Sequence, residues 1–156
     1  MTPPRELTLQ FLAEPADVNF GGKGHGGMVM KWIDQAGYAC AAGWCGGYAV
    51  TVYVGGIRFL RPIQIGQLVE VHAQVIHTGT TSMHLAVDVY SRHPTETERH
   101  KTTHCIIIFV AMDEQGKPTP VPQWQPVSES DLQLQQYAKK LIALREEIDK
   151  EMRQHL

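Results

Sequence analysis

The sequence has few cysteines, almost no excess charge and no long apolar run, and each shortage closes off a class of protein. Its three cysteines, Cys40, Cys45 and Cys105, are an odd number with no CxxC spacing, which fits neither a secreted disulfide framework nor a structural zinc site. Fourteen Lys and Arg stand against sixteen Asp and Glu, a formal charge of -2. Nothing in that balance supplies the positive field that holds a nucleic-acid backbone. No stretch approaches the roughly 18 apolar residues that cross a bilayer. The opening, MTPPRELTLQ, has neither the basic start nor the apolar core of a signal peptide. These absences predict a full-length chain in the reducing cytoplasm, with no nucleic acid among its partners and no membrane insertion.

What is present is the material of one compact domain. A chain of 156 residues, 43% hydrophobic and 19% charged, buries about two thirds of the surface of its unfolded form. ELTLQFLA, Glu6 to Ala13, alternates like a half-buried strand and stops at Glu14-Pro15-Ala16-Asp17. A glycine-dense loop, DVNFGGKGHGG, then opens onto a helix expected from about Gly27 to Ala42. At 100° per residue, Lys31, Asp34, Gln35 and Tyr38 share a polar stripe, and apolar residues occupy the rest, so protein wraps most of this helix.

Four strands are expected next, Ala49 to Arg61, Gln67 to Thr78, Thr81 to His93 and Lys101 to Asp113, with turn signals that suit an antiparallel meander. The last, TTHCIIIFVAM, is apolar on both faces and so reads as central. After the proline-rich PTPVPQWQP, a helix from about Ser130 to Arg153 carries Leu134, Tyr137, Leu141, Leu144, Ile148 and Met152 on one stripe. That stripe docks on the sheet or on a neighbouring subunit. Ser128 with Asp131 forms a capping box, and Arg145 with Asp149 and Glu146 with Lys150 form i,i+4 pairs. Residues 1–127 form the domain and 128–156 a helical extension of it.

Strand, glycine loop, buried helix and four antiparallel strands is the α+β order of a hotdog fold, a five-stranded sheet wrapped around one helix. DVNFGGKGHGG, WIDQAG, VTVYVGGIRFLRPIQIGQLVEV, HTGTTSMHLAVDVYS and FVAMDEQGKPTPVP together resemble the hotdog acyl-CoA thioesterases of the YciA and brain acyl-CoA hydrolase type, over roughly residues 6 to 122. The resemblance implies hydrolysis of acyl-CoA to free acid and CoA, without metal or other cofactor. It also implies sites formed between paired subunits, with a homodimer as the smallest unit and a tetramer or hexamer built from it. Carried over by motif, Asp34 is the catalytic carboxylate, Asn19 the polar loop residue of the catalytic set, and His25, Gly26 and Gly27 begin the helix that receives the thioester carbonyl. Where relatives have Asn or Asp this chain has Lys23, which means either a missing loop contact or a cation for a CoA phosphate. Arg58 and Arg61 are the other candidate cations; three apart on a strand, they face opposite sides unless a bulge at Gly55-Gly56 resets the register.

Thioester hydrolysis needs a group that attacks or deprotonates water and fixed donors for the developing oxyanion. A helix entered through glycine offers the N–H groups of Gly26, Gly27 and Met28, and Asp34 offers the carboxylate. The duller roles are also defined. Asp34 pairs with Lys31 or bonds Tyr38, His25 is structural, and Asn19 only forms a turn. GGKG lacks the earlier Gly and following Ser or Thr of a phosphate loop. His72, His77 and His84 scatter without carboxylate partners, and His100 and His104 share one strand face, so no metal site is expected. The rival functions are a hotdog enoyl-thioester hydratase or dehydratase, which would use His25 with an acid, and a noncatalytic acyl-CoA binding module.

Overall fold

A computed structural model describes residues 2–156. Strands β1 (Glu6–Leu12), β2 (Ala49–Phe59), β3 (Leu68–Thr78), β4 (Ser82–Arg92) and β5 (His100–Ala111) form one antiparallel sheet. Helices α1 (Gly26–Cys45) and α2 (Glu129–Arg153) cover its two faces. The strands lie in the order β1-β3-β4-β5-β2. Only β3-β4-β5 is therefore a meander, and β2 sits at the far edge beside β5. The expected β2-to-β3 hairpin fails because a tight hairpin needs a short primed turn. The link Leu60–Gln67 contains Pro62 and is tied down elsewhere: the Gly66 N–H donates to Ala13 O at 2.9 Å and Gly24 N–H to Ile63 O at 2.6 Å. Strand β5 is internal and buried on both faces, as its doubly apolar sequence requires.

Helix α1 lies on the inner face, burying Val29, Trp32, Ile33, Ala36, Gly37, Cys40, Ala41 and Trp44 against inward residues such as Val71, Leu85, Ile107 and Phe109. Lys31, Asp34, Gln35 and Tyr38 are exposed, as the polar stripe predicts. The helix approaches the sheet closely at Gly37, where a Cβ would lie 2.9 Å from the Phe109 ring. It runs past Ala42, beyond the expected end, and stops at Gly46, whose φ of 73° is the left-handed C-cap glycine favours.

The proline-rich segment returns along the domain, pinned by Trp44 Nε1–H donating to Pro122 O at 2.8 Å and by the Trp124 N–H donating to Thr78 Oγ1 at 3.1 Å. It delivers α2 to the outer face. Ser128 Oγ accepts the Asp131 N–H at 3.0 Å, while Asp131 reaches Val127 N and Arg5 rather than closing a full box on Ser128. Leu134, Tyr137, Ala138 and Leu141 pack on Ile76, Ala86 and Ile106. The expected i,i+4 pairs do not form. Lys150 bonds Glu147 at 3.3 Å, and the Arg145 guanidinium lies over the Tyr53 ring at 5.0 Å.

Candidate active site

The glycine loop is shaped by Asn19. Its Oδ1 accepts the N–H of Gly21 at 2.9 Å and of Lys23 at 3.2 Å, its N–H donates to Lys23 O at 2.6 Å, and its C=O accepts the Gly22 N–H at 3.0 Å. Gly22 supplies the positive φ of 75° that this turn needs. The loop then docks on the β2–β3 link, where a Cβ on Gly24 would stand 3.1 Å from Ile63 Cβ and 3.2 Å from Ile63 O. Two distant motifs, GGKGHGG and FLRPIQIGQ, are thereby joined by backbone hydrogen bonding.

His25 is the N-cap of α1. Its Nδ1 accepts the N–H of Gly27 at 2.9 Å and of Met28 at 3.3 Å, so the ring proton of the neutral imidazole is on Nε2. Two of the three donors expected to face a ligand are thus taken internally. Among the described residues the Gly26 N–H alone of the three is left without an acceptor. The two glycines also divide their work: a Cβ on Gly27 would meet the His25 ring at 2.9 Å, whereas at Gly26 the nearest atom, from Phe59, is 4.0 Å away. Gly27 makes room for the cap, and Gly26 leaves the helix end open.

A cleft of about 370 Å³ opens at this helix end, lined by Gly24, Gly26, Val29, Phe59, Leu60 and Arg61 among others. A neighbouring hollow of about 270 Å³ is lined by Val18, Asn19, Phe20 and His25. Arg61 therefore sits with the helix end. Arg58 does not: it pairs across β5 with His104, whose ring bonds α2, so it lies on the outer face. The bulge falls between Gly55 and Arg58, before both arginines, and β2 ends at Phe59, so Arg61 is placed by the link that follows rather than by the strand. Lys23 is exposed on the loop.

Asp34 stands eight residues along α1 from Gly26, about 12 Å by helical rise. Its Oδ1 accepts a hydrogen bond from Thr51 Oγ1 at 2.7 Å, and no ion pair with Lys31 forms among the described residues. The β2 edge that carries Thr51 also exposes Val52 and Val54, and α1 exposes Tyr38 one turn beyond Asp34. Thr51 is the site residue that sequence reasoning missed. The available signal was its phase: with Ala49 it faces α1 on the strand that follows the helix, opposite the buried Phe109.

The thiols are poor nucleophiles, because burial pushes Cys40 up to about 12 and Cys105 to about 11. On the outer face some histidines do find carboxylates, across strands rather than along them. His104 Nδ1 meets Asp88 Oδ1 at 2.8 Å and its Nε2 meets Tyr137 OH at 2.8 Å, while His72 is 3.6 Å from Glu6. Burial raises the Asp88 carboxyl, but His104 and Lys101 outweigh it and hold the group below its usual range. Among the described residues no group of three His, Cys, Asp or Glu is placed to hold a metal.

A sheet wrapped on one helix, a glycine-opened helix end at a cleft and a carboxylate on the same helix define a hotdog-fold hydrolase of thioesters. The thioesterase superfamily profile matches residues 21–98, and the chain belongs to that family. It is 39% identical over 124 residues to the acyl-CoA thioester hydrolase YciA of Salmonella typhimurium, covering 78% of this chain and 93% of the relative. A solved apo-hexameric acyl-CoA thioesterase superposes with a TM-score of 0.88 at 32% identity, over 92% of both chains. The Staphylococcus aureus acyl-CoA hydrolase, solved with butyryl coenzyme A, coenzyme A and coenzyme A disulfide, gives a TM-score of 0.89 at 25% identity, over 96% of this chain and 92% of that one. That enzyme was also solved with single alanine replacements of an asparagine, an aspartate and a threonine.

Proposed function

We propose that this protein hydrolyses acyl-CoA thioesters to free carboxylic acid and CoA, with Asp34 as the group that activates water or attacks the carbonyl. The observation that carries the reading is the Thr51-to-Asp34 hydrogen bond, since a base or nucleophile held by a third group is the signature of a reacting carboxylate. The S. aureus replacements support it. Their asparagine, aspartate and threonine are separated by fifteen and then seventeen residues, as Asn19, Asp34 and Thr51 are here.

The roles follow from chemistry. Thr51 occupies one carboxylate oxygen and leaves the other for water or for the thioester carbon. The Gly26 N–H, at the positive end of the α1 dipole, receives the oxygen that becomes an oxyanion. Collapse of the tetrahedral intermediate expels the CoA thiolate, and the proton taken from water neutralises it. If Asp34 attacks instead, the intermediate is a mixed anhydride that water then opens. His25 holds the helix end and presents Nε2–H beside Asn19; with Nδ1 committed to the cap, it is ill suited to the base role a hydratase needs. Lys23 and Arg61 are the cations nearest the cleft for CoA phosphates, with Arg58 on the other face. No cofactor is needed.

One helix cannot place Gly26 and Asp34 on the same carbonyl, since about 12 Å separates them and reacting groups must converge to about 3 Å. Each site is therefore shared by two chains. Pairing of β2 edges about a twofold axis brings Asp34 of one chain toward the glycine end of the other and covers the exposed apolar groups of β2. This homodimer is the smallest active unit, from which tetramers or hexamers assemble, and its setting is the cytoplasm.

The test follows thiol release from a panel of acyl-CoAs, and from a mixture of Asp34→Ala and Asn19→Ala proteins after subunit exchange. Turnover of the panel with recovery of about a quarter of full activity in the mixture is the expected result. Acyl-CoA consumed without thiol release would instead indicate a hydratase, and binding without turnover a noncatalytic module.

A further inference from the structure

The C-terminal end of α2 runs off the sheet. Its start is held by Arg5 Nη1 donating to Asp131 Oδ1 at 2.7 Å, with the same arginine reaching Val75 O on β3 at 2.9 Å. Tyr137 OH meets His104 on β5, and Arg145 lies over Tyr53 on β2, the last strand. From Asp131 to Arg145 the helix rises about 21 Å, and three or four strand spacings take up about 14–19 Å. The helix thus crosses the strands steeply and reaches the β2 edge at Arg145. Ile148 still faces Tyr53, Gly55 and Gly56 of β2 across a cavity, and the residues from there to Arg153 extend about 8 Å further, roughly one and a half strand widths, past the last strand.

That overhang is apolar on the docking side. Ile148 and Met152, four apart and in phase with the docked Leu134, Tyr137 and Leu141, are 50% and 54% exposed, and Leu144 is 59% exposed. Just before it, an apolar cavity of about 150 Å³ lies between the helix and the outer side of β4, β5 and β2, lined by His84, Ile106, Tyr53, Gly56, Leu144 and Ile148 among others. Gly56 has no atom within 4 Å of where a Cβ would stand, while the Tyr53 ring lies against Gly55.

We infer that the last two turns of α2 clasp a second copy of this chain, seating on the outer face of the partner's edge strand and against the partner's own α2. The inference rests on the β2-to-β2 dimer proposed above. In that arrangement the partner's sheet continues under the overhang for the distance it extends. Twofold symmetry makes the contact reciprocal, so each helix closes the seam from its own side and the two ends pass antiparallel. Neither the sheet edge nor the helix stripe then exposes its apolar groups.

The experiment is sedimentation velocity over a range of concentrations for the wild type, an Ile148→Asp/Met152→Asp double variant and a Leu132→Asp control. All three substitutions fall on exposed positions, and unchanged circular dichroism verifies the fold. The double variant is expected to raise the dimer dissociation constant at least about thirtyfold, and the control to leave it unchanged. Amides of residues 146–153 should also exchange more slowly in the dimer than in diluted monomer. A double variant that dimerises like the wild type overturns the clasp and leaves the dimer standing. Larger assemblies that fall apart into intact dimers overturn it too, since the helix would then join dimers. A wild type that is monomeric throughout overturns the dimer and the clasp together.

Discussion

Thr51 and Asp34 are seventeen residues apart in the chain and 2.7 Å apart in space, the hydroxyl on β2 donating to the carboxylate on α1. The bond fixes the Asp34 rotamer beside the β2 edge, the edge at which the proposed dimer pairs. Asp34→Asn keeps the volume and removes the charge, so turnover should fall about a hundredfold to ten-thousandfold with acyl-CoA affinity nearly intact. Thr51→Val leaves the carboxylate charged but loose, and should cost about tenfold to a hundredfold in kcat. Steady-state thiol release checks both, and a Thr51→Val enzyme at full speed would remove the orienting role.

The two β2-end arginines should behave differently. Arg61→Ala is expected to raise KM for acyl-CoA several-fold and to weaken its salt dependence, while sparing a small thioester that lacks the nucleotide. Arg58→Ala, on the opposite face, should change neither. Equal losses on both substrates for Arg61→Ala would mark a structural effect.

At Gly37 the prediction concerns packing. An alanine there would push a methyl to 2.9 Å from the Phe109 ring, so Gly37→Ala should destabilise the fold by about 1–3 kcal/mol, read as a lower Tm. Adding Phe109→Leu should recover part of the loss, because the clash is with the ring.

His84 gives stability a pH dependence. Burial first, then the neighbouring His77 and Arg145, lower it from 6.5 to about 4. The unfolded chain binds this proton more readily than the folded one, so stability is full above about 6.5 and falls as pH drops from there toward 4, by on the order of 3 kcal/mol. Denaturant titrations across that window should show a shallower slope for His84→Leu than for the wild type.

Much of this architecture is legible in the residues. The polar stripe of α1, the doubly buried β5 and the extent of α2 follow from periodicity, which is a local property. What escaped is non-local. The position of β2 depends on where Leu60–Gln67 is tied, and those anchors, Ala13 and Gly24, belong to other segments. Thr51 matters only through α1. The His25 cap hid because a ring nitrogen does what Ser, Asp or Asn usually does at that position. The stripe of α2 gives a face but not the point where the sheet beneath it ends.

The bond between Gly24 and Ile63 makes the glycine loop and the β2–β3 link one mechanical piece. A residue inserted anywhere between Phe59 and Gly66 would therefore be felt at the first turn of α1, where the Gly26 N–H is aimed. The length of that connection is constrained as tightly as the identity of any residue in it, and homologous chains should tolerate substitutions there far better than changes in spacing.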